Sequence, residues 1–264
     1  MSETTPDMPP PRPASWPAAV AIHTGRILRR WLRSPVMLFT AVAFPVMMML
    51  IFVVMFRGMI ERFTGAPVDL PRIWVMIVVS SMLTGAIMGA GSTVQERREG
   101  FMDRIRTLPA HASAGYAGRI LAESLRAFLA APLTMLIALV FGADFGSPAA
   151  VLRMLAVLLM VAIASGAFGV MMGYLAETPQ GAVAASPAIM AAMFFNTAMM
   201  PSERYAAPLR PIVDVSPITA VANLSQDALA GGTSISHITL FVLWFGGLVL
   251  LSVAVIAFKA RLRR

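Results

Sequence analysis

Six long apolar stretches alternate along the chain with polar gaps, at residues 36–56, 73–94, 120–141, 154–176, 181–200 and 238–258. A hydrocarbon core about 30 Å thick needs roughly 20 helical residues, so each stretch is long enough to cross a bilayer as a helix. Only the third contains ionisable side chains, Glu123 and Arg126, both in its first two turns. The pattern predicts an all-α membrane protein with six transmembrane helices. An even number of crossings places both termini on the same side.

Ahead of the first stretch, residues 17–34 read as an amphipathic helix. Val20, Ile27, Leu28, Trp31 and Leu32 fall near one face, and Arg26, Arg29, Arg30 and Arg33 line the rest, as in a helix lying in the headgroup layer. A plain basic flank to the first span would leave the segment on the same side. Pro35 marks the turn into the membrane. Most gaps are short, and 177–180 is hardly a loop. The segments 95–119 and 201–237 are too long for tight turns, and long connections in compact domains are usually functional or disordered; neither has the look of disorder. Pro45, Pro132 and Pro187 fall inside spans one, three and five, where each frees a carbonyl and permits a kink. Gly85, Gly89, Ser165, Gly169 and Gly173 stand at four-residue intervals that let helices approach closely. Packing within the chain and a seam between two copies would both use them.

Charge then sets the orientation. Fifteen of the 21 Lys+Arg residues lie with the N-terminal segment, the 95–119 gap, the start of the third span and the C-terminal tail, and with the short 177–180 gap that face holds seven of the 13 acids. The other face is neutral, with six of each, so the positive-inside rule places both termini in the cytoplasm. The same distribution argues against nucleic acid as a partner despite a sequence pI of about 11.3, because these arginines flank spans and meet anionic lipid headgroups. Residues 1–16 are rich in proline and predict a disordered cytoplasmic arm, with 17–264 forming one membrane domain. With one lysine among its 21 basic residues, the composition points to a GC-rich bacterial genome and hence to a bacterial cell membrane.

The chemistry available is narrow. There is no cysteine, so no disulfide, thiolate or thiolate-bound metal. The three histidines, His23, His111 and His237, are not paired with carboxylates at ligand spacing, and no metalloprotease helix motif occurs. The middles of the spans lack the titratable groups that an ion-driven carrier uses. No phosphate-binding loop is present either, so nucleotide hydrolysis would belong to another chain. The chain is expected not to be an enzyme and to carry no cofactor.

The second span runs straight into a charged head, Glu96, Arg97, Arg98, Glu99 and Gly100. An amphipathic body follows, with Phe101, Met102, Ile105 and Leu108 on one side and Asp103, Arg104 and Arg106 on the other, ended by Pro109. Gly100 permits a bend between head and body. This run, followed by Arg104, by Leu108 with Pro109, and by Arg119 opening span three, resembles the membrane subunit of type-2 ATP-binding-cassette exporters, in particular the daunorubicin-resistance-like branch. The outer segment is similar too, with Pro201, Pro208, Ser216, Pro217, Ile218, Thr219 and Gly231. It departs from that branch at Gln226 and Asp227, where the family often has arginine.

The resemblance spans about residues 17–260. It implies a permease subunit of an ABC exporter, working with a second six-span permease, identical or paralogous, and with separate ATPase subunits that carry the ATP and Mg. It also implies that Glu96, Arg97, Arg98, Glu99, Gly100, Arg104, Leu108 and Pro109 form a coupling helix seated on the ATPase, and that the N-terminal helix lies along the membrane. Pro201, Pro208, Pro217 and Thr219 would belong to an outer re-entrant hairpin between spans five and six. The expected cargo is hydrophobic or amphipathic: a drug, lipid or glycolipid. Met47, Met48, Met190, Met193, Phe194 and Phe195 offer an adaptable path for it, although such residues at helical spacing also serve as core or lipid-facing surface. A membrane scaffold or sensor that docks a cytosolic protein through the charged head is the alternative.

Overall fold

The computed structural model describes residues 15–100, 112–184, 186–192 and 194–262, and among them every regular element is helical. The N-terminal segment forms α1 (Trp16–Leu32). Span one is α2 (Pro35–Ile51), a π turn (Phe52–Phe56) and α3 (Arg57–Thr64) in one unbroken path. Then come α4 (Leu70–Arg98), α5 (Ala112–Val140), α6 (Pro148–Leu175), α7 (Pro179–Val183) and α8 (Ser186–Ala192). After two single 3-10 turns follow α9 (Arg210–Asp214), α10 (Pro217–Ala230), α11 (Ile235–Phe241), a second π turn (Val242–Gly246) and α12 (Gly247–Leu262).

Local sequence explains most boundaries. Asp69 caps α4 by accepting from the Arg72 N–H at 3.0 Å, and Ser147, Thr178 and Ser216 do the same for α6, α7 and α10. Each of those helices has proline in its first turn, where the missing N–H costs nothing. Gly65, Gly100 and Gly231, with φ of 72°, 69° and 74°, supply the left-handed residues that follow α3, α4 and α10. Gly100 is thus left-handed where α4 has ended, and the amphipathic body expected after it lies outside the described residues.

Among the described residues five helical segments are long and apolar enough to cross a membrane: Ala41–Phe63, Leu70–Arg98, Ser113–Val140, Pro148–Leu175 and Ile235–Arg261. Two sequence expectations change. The gap set at 57–72 is largely helix, because Arg57 pairs with Glu61 one turn on, at 3.1 Å, and carries span one through to Thr64. The apolar stretch 181–200 is divided between α7, α8 and a run of turns at 194–200. Pro187 stands at the start of α8, as a helix-opening proline does. Ala185 and Met193 lie outside the described residues.

At the centre stand α4 and α6: 72% and 61% of their most apolar windows are buried, against 22–39% for the other three segments. Glycine permits their contact. A Cβ at Gly169 would lie 2.5 Å from the Ala86 carbonyl oxygen, and one at Gly173 would lie 3.0 Å from that of Ala90. Apolar side chains gain little from association inside lipid, so close backbone packing of this kind holds membrane helices together. The small residues on these two helices are thus used inside the chain.

Toward one end the core is aromatic. Trp74 is fully buried, donates from Nε1 to Thr134 Oγ1 at 3.0 Å and meets Phe145 edge-on at 5.1 Å. That end is closed by the segment after α8. Arg72 reaches Asn223 Oδ1 at 2.6 Å, Arg153 donates to the Ala228 carbonyl, and the Thr197 N–H donates to Thr219 Oγ1. The opposite end carries α1, the C-termini of α4 and α6 and the start of α5. The two ends match the two faces that the charge count separates.

Candidate functional site

The end that carries α1 holds the sequence's charged head. Glu96 and Arg97 are the last full turn of α4, and their positions on it decide their partners. Arg97 faces the C-terminus of α6, donating to the Tyr174 carbonyl at 2.9 Å, to Gly173 at 3.3 Å and to Ala176. Arg98 donates to the Glu177 carbonyl at 3.1 Å. A helix leaves its last carbonyls without internal partners, and that end carries partial negative charge. The Arg97 guanidinium therefore caps α6, and Arg98 holds the residue after its C-cap. Glu96 faces the other way, ion-paired with Arg119 at the start of α5 and with Arg30 of α1 at 3.2 Å. Among the described residues Glu99 has a local partner, accepting from Gln95 at 2.8 Å.

α1 lies against α5 across Gly118. Thr24 Oγ1 donates to the Gly118 carbonyl at 3.1 Å, and a Cβ at Gly118 would come within 2.7 Å of the His23 Cβ. Burial, and then the Arg26 charge, hold the His23 imidazole below its ordinary value. Trp31 is buried and Leu32 is 57% exposed. The helix thus turns its threonine and tryptophan to the bundle and leaves much of its arginine face open.

Two adjoining cavities open beside this cluster. One, of 470 Å³, lies between α2, α4 and α5 and has a mostly apolar wall that includes Phe39, Phe44, Pro45 and Met88. The other, of 260 Å³, lies between α1, α4 and α5 and includes Glu96, Arg119 and Glu123. Met88 and Arg126 belong to both. Arg126 pairs with Glu123 at 2.6 Å and donates to the Gly85 carbonyl at 2.7 Å. The pair sits over Gly89, where a Cβ would meet the Glu123 carboxylate at 2.7 Å.

The residues expected to line a path are spread over the surface. Met47, Met190, Phe194 and Phe195 are exposed, Met48 packs on the edge of the core, and Met193 lies outside the described residues. None of the five described ones borders the two cavities. Arg104, Leu108 and Pro109 also lie outside the described residues, as does the rest of 101–111. Of the outer positions, Pro217 opens α10, Thr219 is buried and donates to the Val213 carbonyl at 2.7 Å, and Pro201 and Pro208 stand at the two 3-10 turns.

Sequence reading missed one pair. His237 Nδ1 and Asp227 Oδ2 are 2.9 Å apart, joining α10 to the start of the last span, and the same oxygen accepts from the Ser234 N–H. Neither residue shares a motif with the other; the turn after Gly231 brings them together. Gln226 donates to Asp69 Oδ2 at 2.8 Å. The two positions that depart from the resemblance therefore tie the outer segment to α4 and α11. Among the described residues no group of three or more His, Asp or Glu could hold a metal ion.

Long apolar helices around a glycine-packed centre, with arginine-rich ends on one face, define a polytopic membrane protein. The chain belongs to the ABC-2 type transporter family, whose model matches residues 19–230. It is 25% identical over 235 residues to a probable doxorubicin resistance ABC transporter permease protein of Mycobacterium tuberculosis, covering 88% of this chain and 84% of that one. It is 27% identical over 246 residues to a daunorubicin resistance ABC transporter permease protein of Streptomyces coeruleorubidus, covering 90% and 84%. The branch indicated by the charged head and the proline-punctuated outer segment is thereby established.

Proposed function

We propose that the chain is the membrane half of an ATP-driven exporter in a bacterial cell membrane, with both termini in the cytoplasm. A separate ATPase supplies the energy, and a second permease, identical or paralogous, completes the pathway. One observation carries the coupling. The polypeptide leaving α4 is tied by Arg97 and Arg98 to the end of α6, and by Glu96 to α5 and α1. A force applied beyond Gly100 would thus reach four helices at once, and Glu99 is the member of the head left for a partner. The coupling body at 101–111, the fifth crossing through 181–200 that brings the count to six, and the re-entrant course of 201–237 belong to this reading. The cargo we propose is hydrophobic or amphipathic, and the two drugs in the relatives' names are the first compounds to try.

The test is reconstitution. The purified chain should hydrolyse no ATP, and inverted vesicles holding it together with its ATPase should accumulate doxorubicin only when ATP is added. Glu99→Arg should depress uptake while leaving protein level and melting temperature unchanged. Uptake by Glu99→Arg at the wild-type rate would remove the head as a coupling contact. Failure of every ATPase to copurify would favour the scaffold alternative.

A further inference from the structure

We infer that the two adjoining cavities form a binding site for one anionic lipid, drawn from the leaflet that the α1 end faces. The inference asks only that the chain sit in a bilayer, and it stands apart from which compound is exported. A lipid needs two unlike compartments in contact, and here they share a wall. The 470 Å³ cavity, bordered by α2, α4 and α5, is lined mainly by apolar side chains such as Phe39, Phe44 and Met88. The 260 Å³ cavity beside it is walled by three arginines, Arg30, Arg119 and Arg126, against two glutamates, which leaves one formal positive charge.

The polar compartment also has an unanswered donor. Arg119 is 3% exposed and spends its terminal nitrogens on Glu96 and Ser92, but its Nε–H meets no acceptor among the described residues. A buried guanidinium N–H without a partner is costly, and an anionic oxygen in the cavity would answer it. Arg30, with a side chain 69% exposed, stands at the mouth, where it meets a headgroup before the buried arginines do. The acyl chain then follows past Met88 and Arg126, the residues common to both walls. Electrostatic attraction of an arginine for an anionic leaflet falls off within a Debye length. Placement of the cluster at the headgroup end of the bundle is therefore what gives it a ligand to select.

The experiment is native mass spectrometry of the detergent-purified chain, delipidated and then incubated with dioleoyl phosphatidylglycerol, with dioleoyl phosphatidylcholine or with inorganic phosphate. One phosphatidylglycerol should be retained per chain, in preference to phosphatidylcholine by at least about fivefold, with phosphate neither bound nor competing. Arg30→Gln removes a charge at the mouth and one partner of Glu96, leaves the Arg119 and Arg126 pairs in place, and should cut retention by about fivefold. Thr84→Phe fills the apolar compartment and should abolish retention of both lipids while the melting temperature holds. Equal retention of the two lipids, displacement by phosphate alone, or wild-type retention by both variants would each overturn the site. So would a dimer that retains no lipid, since a second copy would then be the occupant.

Discussion

Arg97 offers the sharpest separation between an anchoring role and a docking role. In Arg97→Ala the carbonyls of Gly173, Tyr174 and Ala176 lose their donor together. A hydrogen bond to a charged group contributes about 1.5–3 kcal/mol net, and a cation at a helix C-terminus contributes about 0.3–1 kcal/mol. Arg97 is half-buried, so water can replace part of what is lost, and the Gly173 bond is the longest of the three. A net cost of about 2–4 kcal/mol follows, which for a chain of this size lowers the melting temperature by about 5–10 °C. Arg97→Lys keeps the charge but not the planar fork that reaches several carbonyls, and should recover about half of the loss. Melting of the detergent-purified protein, followed through its four tryptophans, measures both. If Arg97→Ala melts within about 1 °C of wild type while the ATPase no longer copurifies, the arginine faces the partner and the capping argument fails.

Other consequences can be checked separately. Gly169→Leu drives a side chain into the Ala86 backbone and should cost at least about 1–3 kcal/mol, seen as lost yield and a lower melting temperature. Gly58→Ala, which meets nothing within 4 Å, should match wild type in both. At Asp227 partial burial acts to raise the carboxyl, but the Ser234 N–H and the His237 ring outweigh it and hold it below its ordinary value. A depressed carboxyl stabilises above its unfolded value and loses that contribution as pH falls through the folded one. The wild type should therefore lose melting temperature in acid more steeply than Asp227→Asn, and parallel acid titrations would remove the pair from any pH role. Because the chain has no cysteine, single cysteines at Ser113 and Ser202 report orientation directly. A membrane-impermeant thiol reagent applied to intact cells should label position 202 and spare 113, and the reverse result would invert the assignment.

The sequence alone was enough for the material of the fold and for its two unlike ends. Hydrophobic length and the placement of arginine are one-dimensional properties, because a bilayer acts on each segment by its own thickness and field. Caps such as Asp69, Ser147 and Ser216 are equally local. Tertiary structure decided what the arginines do. No spacing signals that Arg97 will cap a helix ending almost eighty residues later, that Arg72 will find Asn223 or that Asp227 will meet His237. It also decided where helix ends do not follow the apolar pattern. Residues 57–64 continue span one because a helix, once nucleated, propagates through Arg57 and Glu61 more cheaply than it stops. The stretch 181–200 carries enough apolar length to cross, yet its described backbone turns at 194–200. The buried Asn196, the Tyr205 hydroxyl and Thr219 hold those turns against α10. Backbone polar groups must be satisfied wherever water is excluded, and partners distant in sequence can do this where the segment's own helix does not.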